Sequence, residues 1–139
     1  MVENRRCELA GYTKVNLKDD VDDQGPNFGL EGKIEARMAR VPLELEHSGV
    51  SYQRIAPNFR LPFGHTHKTQ EEVYILISGS ARAKLGDEVI ELKPFDALRV
   101  HKDTVRGFEA GPEGAELIAV GAPHTGPGDA EMVQGWWMD

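Results

Sequence analysis

Closely spaced turn signals are the feature that most restricts the fold of this 139-residue chain. In its second half, apolar or alternating runs of four to six residues are interrupted by Ser-Gly, Gly-Asp, Lys-Pro-Phe-Asp and Gly-Pro-Glu-Gly, and Gly86-Asp87 is a two-residue hairpin signal. Short strands bounded in this way are typical of β-sandwiches and barrels. No segment after residue 41 has a helical period, so the sequence predicts an all-β domain. The predicted strands cover residues 73–77, 81–85, 89–92, 97–100, 105–109 and 115–120.

Two further strands are predicted before these. Residues 33–40 alternate between apolar and charged side chains, and Leu43 and Leu45 continue the alternation. Residues 51–56 form the second strand, and a loop bounded by prolines follows it. The run at residues 73–77 is nearly continuously apolar, which predicts a strand that is covered on both faces.

Charge and cysteine content exclude several classes of partner. The chain has 16 basic and 23 acidic residues, a formal net charge of −7, which argues against a nucleic-acid backbone or an anionic membrane as partner. The single cysteine, Cys7, cannot form an internal disulfide and has no identifiable activating neighbour. Because the sequence shows no signal-peptide pattern and no long apolar run, we expect a cytoplasmic protein without a membrane span.

Two histidines lie one residue apart immediately before the run at residues 73–77. On an extended chain, His65 and His67 project from the same face, with backbones roughly 6.6 Å apart. A polar turn then brings Glu71 or Glu72 back alongside them. Two imidazoles and one carboxylate on one face could bind a divalent metal ion and leave coordination positions open.

This stretch resembles the first motif of the cupin superfamily, in which H-x-H is followed by a glutamate and, after six further residues, a glycine. Glu72 and Gly79 fit that spacing, so the resemblance implies that His65, His67 and Glu72 are the metal ligands. It also implies a single small cupin barrel, a double-stranded β-helix or jelly roll, at residues 31–122. Residues 1–30 would then be an extension that could add an edge strand, and residues 123–139 a tail. The implied cofactor is Fe, Mn, Ni or Zn.

The chain departs from the second cupin motif at one position. The last histidine ligand of that motif is replaced by Arg106, while His101 precedes the turn and should not reach the site. Arginine cannot ligate a metal. In one outcome, a metal on the remaining triad and Arg106 give a pocket of net charge about +2, in which Arg106 holds a carboxylate or phosphate in bidentate fashion. In the other, no metal binds and Arg106 pairs with Glu72.

Other residues are predicted to line the pocket. Tyr74 shares a face with Glu72 and is, with Arg106, a candidate catalytic residue, although packing of its ring explains it as well. Either Gln53 or Arg54 should face the pocket, and we assign Gln53 with Tyr74 and Arg106 to substrate binding. His124 could supply a ligand from the tail, whereas Phe108 should pack the barrel.

The tail ends in Trp136 and Trp137, which are costly to expose and should dock on the barrel or on a partner subunit. The resemblance implies a homodimer, and a monomer with a folded-back tail fits equally well. Three functions stay open. These are an enzyme of isomerase, lyase or dioxygenase type, a metal-free module that binds or senses a small anionic molecule, and a scaffold without a working site.

Overall fold

The structure of the chain is a computed structural model. It describes residues 5–7 (backbone only), 11–126 and 128–138, so the side chain of Cys7 lies outside the described part. Within these ranges, the regular secondary structure is almost entirely β-strand, as predicted. The strands are β1 (Arg5–Cys7), β2 (Tyr12–Lys14), β3 (Ile34–Met38), β4 (Gly49–Ile55), β5 (Phe63–His67), β6 (Glu71–Leu85), β7 (Glu88–Leu92), β8 (Ala97–Val100), β9 (Arg106–Ala122) and β10 (Ala130–Gln134).

Helical structure in the described ranges is limited to a 3-10 helix at Gly25–Phe28 and a single turn, α1, at Arg40–Leu43. Neither is long and apolar enough to cross a membrane. The turn α1 corrects the prediction that alternation through Leu43 and Leu45 extends the strand. The chain instead turns at Pro42, whose fixed φ suits the first turn of a helix, and Glu44 ends the turn in the left-handed region.

Two long strands, β6 and β9, form the centre of the sheet. They pair antiparallel from Glu71 opposite Ala122 to Leu85 opposite Arg106. Strands β8 and β7 add to the first and last parts of β6. Strands β4 and then β3 add to β9, and β5 joins β9 to β10. The eight strands curl around one apolar core, while β1 and β2 form a separate hairpin.

A bend in the long pair explains why the sequence predicted more strands than form. The register shifts on either side of Gly79, where β6 crosses Gly114 of β9. Both glycines have φ +81, and a Cβ on Gly79 would lie 1.9 Å from the Gly114 carbonyl oxygen. A bulge absorbs extra residues without ending the ladder. Residues 73–77 and 81–85 are therefore one strand, as are 105–109 and 115–120, and the predicted turn at 111–114 is part of β9.

The two faces of β6 differ in burial, so the prediction of a strand covered on both faces was wrong. Tyr74 and Leu76 are fully buried, whereas Ile77 is exposed. An antiparallel sheet can leave one face to solvent even where the sequence is continuously apolar. The buried side chains of the core come from both long strands and their neighbours: Ile55, Tyr74, Leu76, Ala81, Ala83, Leu92, Val100, Phe108, Ala110, Ala115, Leu117 and Ala119.

The tail lies against the barrel within the same chain. Trp137 is buried, with the guanidinium carbons of Arg60 and Arg82 at 4.2 and 5.4 Å from its ring centroid. Trp136 lies beside Gly64 and Gly107, where a side chain on either glycine would meet its ring. Trp136 therefore lies against β5 and β9, which also carry the predicted site, whereas Trp137 lies against the loop before β5 and against β6.

Candidate metal centre

Strand β5 presents the two histidines to the inside of the barrel. It is hydrogen-bonded on both sides, with Met132 of β10 opposite His65 on one side and Arg106 of β9 on the other. The alternation of the strand puts His65 and His67 on one face, as predicted. Their rings lie 5.0 Å apart and nearly perpendicular.

Glu72 completes the cluster from the start of β6. Its Oε1 lies 3.4 Å from Nε2 of His65 and 3.1 Å from Nε2 of His67. Ligand atoms of the three residues all lie within 4.8 Å of one another, a separation that one metal ion can bridge. Glu71 is exposed, so the open choice between the two glutamates is decided for Glu72.

No pattern in the sequence marks the residue that contacts Nδ1 of His67. Asp129, in the tail, places Oδ2 at 3.0 Å from Nδ1 of His67. The carboxylate also accepts hydrogen bonds from the backbone and hydroxyl of Thr69 and from the backbone of Gln70. Burial alone would raise the pKa of Asp129, but these hydrogen bonds outweigh it and hold the pKa below its ordinary value. Asp129 is therefore an ionised acceptor at the back of the His67 ring.

This contact determines which nitrogen of His67 faces the cluster. Nδ1 lies 3.0 Å from the Asp129 carboxylate and 2.9 Å from the side-chain amide of Gln70. A carboxylate cannot donate, so Asp129 favours the ring proton on Nδ1 and the lone pair on Nε2, and the Gln70 amide accepts from the same proton when its oxygen is turned toward the ring. Nε2 is buried and makes no hydrogen bond. A buried acceptor without a donor, held toward a carboxylate oxygen, fits a cation between them and is otherwise costly. On this observation, the residues present fit a divalent metal.

Tyr74 orients the carboxylate rather than lying free in the pocket. Its hydroxyl donates a hydrogen bond to Oε1 of Glu72, and its ring packs on Phe108 with centroids 4.7 Å apart. Burial and the charge of Glu72 raise the pKa of Tyr74 well above its usual value. Burial would raise the pKa of Glu72 too, but hydrogen bonds to its carboxylate, among them those from His65 and the Tyr74 hydroxyl, hold it well below its usual range. The pair is thus a neutral phenol and an ionised carboxylate.

Arg106 does not have the orientation predicted for an anion anchor. It is fully buried, and its terminal nitrogens donate to the backbone carbonyls of His65, Val100 and His101 at 3.1–3.4 Å. Both ends of the guanidinium fork are therefore occupied, which corrects the prediction of a bidentate grip on a ligand. Nε lies 3.9 Å from Oε1 of Glu72 and makes no hydrogen bond.

A cavity of about 340 Å³ opens above the cluster. Of the two neighbouring residues on β4, Gln53 lines the cavity and Arg54 does not, in agreement with the assignment of Gln53 to the pocket side. His124 also lines it, but within the described residues the cluster that could hold a metal is limited to His65, His67 and Glu72. The side chain of His101 is exposed and is not part of the cluster, as expected. Asp129, which the sequence analysis missed, lies 62 residues from His67, and no local pattern marks it.

Comparison with known proteins identifies the fold. No protein-family model and no curated protein matches the sequence. A cupin protein from Bacteroides fragilis superposes with a TM-score of 0.63 at 22% identity, covering 93% of this chain and 89% of that chain. Oxalate decarboxylase from Bacillus subtilis gives 0.70 at 22% identity, over 86% of this chain and 31% of that one. Pac13 of Streptomyces, a nucleoside dehydratase, gives 0.62 at 14% identity, over 73% and 79%. The likeness shows that the fold of this chain is the one the resemblance implied.

Proposed function

We propose that this cupin-fold chain binds a divalent metal ion through His65, His67 and Glu72 and acts as a metal-dependent enzyme on a small anionic molecule. The observation that carries the proposal is the environment of His67. The Asp129 carboxylate beside Nδ1 favours the proton on that nitrogen, and Nε2 is left buried, without a hydrogen bond, toward Glu72. Metal-binding histidines typically have such a partner on the second nitrogen.

Three protein ligands favour a catalytic over a structural centre. Structural sites are usually closed by four protein ligands, whereas catalytic ones keep positions for water or substrate. When bound, the ion would supply Lewis-acid polarisation of a substrate oxygen, or dioxygen chemistry if it is iron. The mixed nitrogen and oxygen donors suit Fe, Mn, Ni or Zn.

The surrounding residues keep the ligands in place and set the charge. Asp129 orients His67, and the Tyr74 hydroxyl orients Glu72. A divalent ion and Arg106 bring three positive charges to the centre, and Glu72 and Asp129 bring two negative ones, so the net charge is about +1. This net charge is lower than the value of about +2 predicted from the sequence, where Asp129 was not included, but a positive centre still favours an anionic ligand. Arg106 contributes through its field rather than through direct contact.

Two structural neighbours support bond-cleaving chemistry. Oxalate decarboxylase and the nucleoside dehydratase Pac13 both remove a small group from their substrate, as their names state. The support is an analogy at the level of the fold, because cupin-like barrels host many activities. Among isomerase, lyase and dioxygenase chemistry, we therefore propose a lyase-type reaction.

The test is the metal content of the purified protein. Wild type is incubated separately with Fe²⁺, Mn²⁺, Ni²⁺ and Zn²⁺, desalted, and measured by elemental mass spectrometry. We expect about one ion per chain for at least one metal, lost in His67→Ala. His101→Ala is the matched control, because His101 is exposed and outside the cluster, and it should keep the ion. Equal metal in wild type and His67→Ala would refute the centre.

The approach of Arg106 to Glu72 favours a second candidate, a metal-free binding pocket. In that case the buried guanidinium neutralises Glu72 directly, and the imidazoles form hydrogen-bonding walls. Wild type would then take up none of the four metals. Glu72→Gln would destabilise the fold by roughly 3 kcal/mol, because it leaves a buried arginine without its counter-charge.

A further inference from the structure

One connected polar group of the cavity is formed by the metal cluster, Tyr74, Gln70 and Asp129. The other polar side chains of the lining are Arg40, Ser51, Gln53, Arg106 and His124. Most of the remaining wall is formed by apolar side chains from the 3-10 helix, β3, β5, β10 and the loop before β5. The six large ones are Phe28, Ile34, Met38, Leu61, Phe63 and Met132.

Three of these six side chains are exposed although they line the cavity. Phe28, Met38 and Met132 are 42%, 48% and 46% exposed. They lie on three different elements, the 3-10 helix, β3 and β10, and all three line the same cavity. Large exposed apolar groups that converge on one opening are expected where an apolar ligand covers them.

The fixed positive charges of the described wall are anchored by backbone carbonyls. These charges are Arg40 and Arg106. Both terminal nitrogens of Arg106 donate to backbone carbonyls, and Arg40 donates to the carbonyl of His124 at 3.4 Å. Arg40 follows β3, and three strand-to-strand steps (β3–β4, β4–β9, β9–β6) separate it from Glu72. The Nε atoms of both arginines are buried without a hydrogen-bond partner, and the open metal positions remain the strongest site for a chelating group.

We propose that the ligand is a small amphipathic molecule with a chelating oxygen head and an apolar body about the size of one ring. The head, such as a carboxylate with a neighbouring carbonyl or hydroxyl, enters first and reaches the open metal positions. The body stays against Phe28, Met38 and Met132. A cavity of about 340 Å³ is at the small end of ligand sites, which span roughly 300–1,000 Å³. This inference rests on the proposed function, since it assigns the substrate class of the same centre.

A pair of hydroxamates isolates the contribution of the body. Acetohydroxamate and benzohydroxamate carry the same bidentate head, and their dissociation constants on the metal-loaded protein are measured by calorimetry. Each constant is normalised to the affinity of the probe for the free ion. We expect benzohydroxamate to bind at least about tenfold tighter, because its ring is removed from water by the wall. Glycolohydroxamate, whose body is polar, should bind no better than acetohydroxamate.

Wall variants and a matched control assign the effect to the opening. Phe28→Ser and Met38→Gln alter exposed residues that are not metal ligands, and they should reduce the preference to about threefold or less while leaving acetohydroxamate unchanged. Ile77→Asn replaces an exposed apolar residue outside the cavity lining and should leave the preference unchanged. A preference near one in wild type, or tighter binding of glycolohydroxamate, overturns the substrate class.

The metal-free protein separates this inference from the proposed function. Benzamide, which has the ring without a chelating head, should shift the methyl NMR signals of Met38 and Met132 at concentrations where acetamide does not. Absence of that difference overturns the apolar-body inference whether or not a metal binds. A protein that takes up no metal but responds to benzamide fails the proposed function alone.

Discussion

The tail contacts the barrel at Asp129 and at Trp137, and the two contacts differ in kind. Asp129 is a buried carboxylate with hydrogen bonds to His67, Thr69 and the backbone of Gln70. Trp137 is a buried ring near the guanidinium groups of Arg60 and Arg82. It contributes by removing apolar surface from water and by cation–π contacts. Neither tryptophan lines the cavity, whereas Asp129 does.

The difference indicates which property of the protein depends on each contact. A buried ring stabilises the fold in proportion to the area it removes from water. A buried carboxylate contributes little net stability, but it determines the direction and tautomer of the group it contacts. We therefore expect the tail to stabilise the fold mainly through Trp137 and to shape the metal centre through Asp129.

The largest expected effect on stability is that of Trp137→Ala. Removing a buried indole should lower the free energy of unfolding by about 3 kcal/mol. Metal affinity, measured at a temperature where the variant is folded, should change less than about threefold. Met138→Ala is the control, because Met138 is the exposed neighbour and should change stability by under about 0.5 kcal/mol. If Trp137→Ala keeps its stability but loses the metal, Trp137 supports the metal centre rather than the fold.

The second effect is that of Asp129→Asn on the metal. The asparagine amide can donate to Nδ1 of His67 and so favour the tautomer with the proton on Nε2, which cannot bind a metal. We expect metal affinity to fall by roughly 10–100-fold, measured by competition with a chromogenic chelator. The ¹⁵N shifts of the His67 ring in the metal-free protein should report the changed tautomer.

The surface offers a matched control for this change. Asp103 lies 3.8 Å from Nδ1 of His101, but both side chains are exposed and outside the cavity lining. Asp103→Asn should leave metal affinity unchanged. If Asp129→Asn lowers stability but not metal affinity, Asp129 serves only to attach the tail.

Local patterns predicted most of the strands but could not show how they join. Turn residues marked the hairpin at Gly86-Asp87 and the start of β8 correctly. The same residue types at Gly79 and Gly114 mark a bend inside two paired strands, because a bulge and a turn both require left-handed glycine. Only the partner strand distinguishes the two, and its position is not a local property.

The site was predictable where its residues are close in sequence. His65, His67 and Glu72 follow from spacing and from the resemblance, and their convergence is observed. Asp129 approaches from the far end of the chain, and the orientation of Arg106 depends on carbonyls of three other residues. Contacts between residues far apart in the chain produce no periodic pattern in the sequence. The residue that contacts the second ring nitrogen of a metal-binding histidine, as Asp129 does for His67, therefore could not be predicted.

A smaller effect is expected for Tyr74→Phe. The ring stays packed on Phe108, but Glu72 loses its hydrogen-bond donor. We expect a stability loss of about 1 kcal/mol and metal binding weaker by a few-fold. Tyr52→Phe is the control, because the Tyr52 hydroxyl donates to Glu116 in the same way, and Tyr52 does not line the cavity. It should cost similar stability without affecting the metal, and a loss of metal affinity in both variants would contradict a local role for Tyr74.

The smallest effect concerns Glu116, a carboxylate outside both tail contacts. The hydrogen bond from Tyr52, with the nearby Lys18, holds the pKa of Glu116 below its usual value despite some burial. A lowered pKa in the folded state adds stability above the unfolded value of about 4.3, and this stability is lost as the pH falls further. Wild type should therefore be more stable than Glu116→Gln at pH 7, by less than about 1 kcal/mol, and the difference should shrink below pH 4 in urea unfolding. Because neither tail residue touches Glu116, the same pH-dependent stability difference should persist in Trp137→Ala and Asp129→Asn backgrounds.

If the stability difference disappears in either background, the tail contact that was removed is coupled to the whole sheet rather than acting locally.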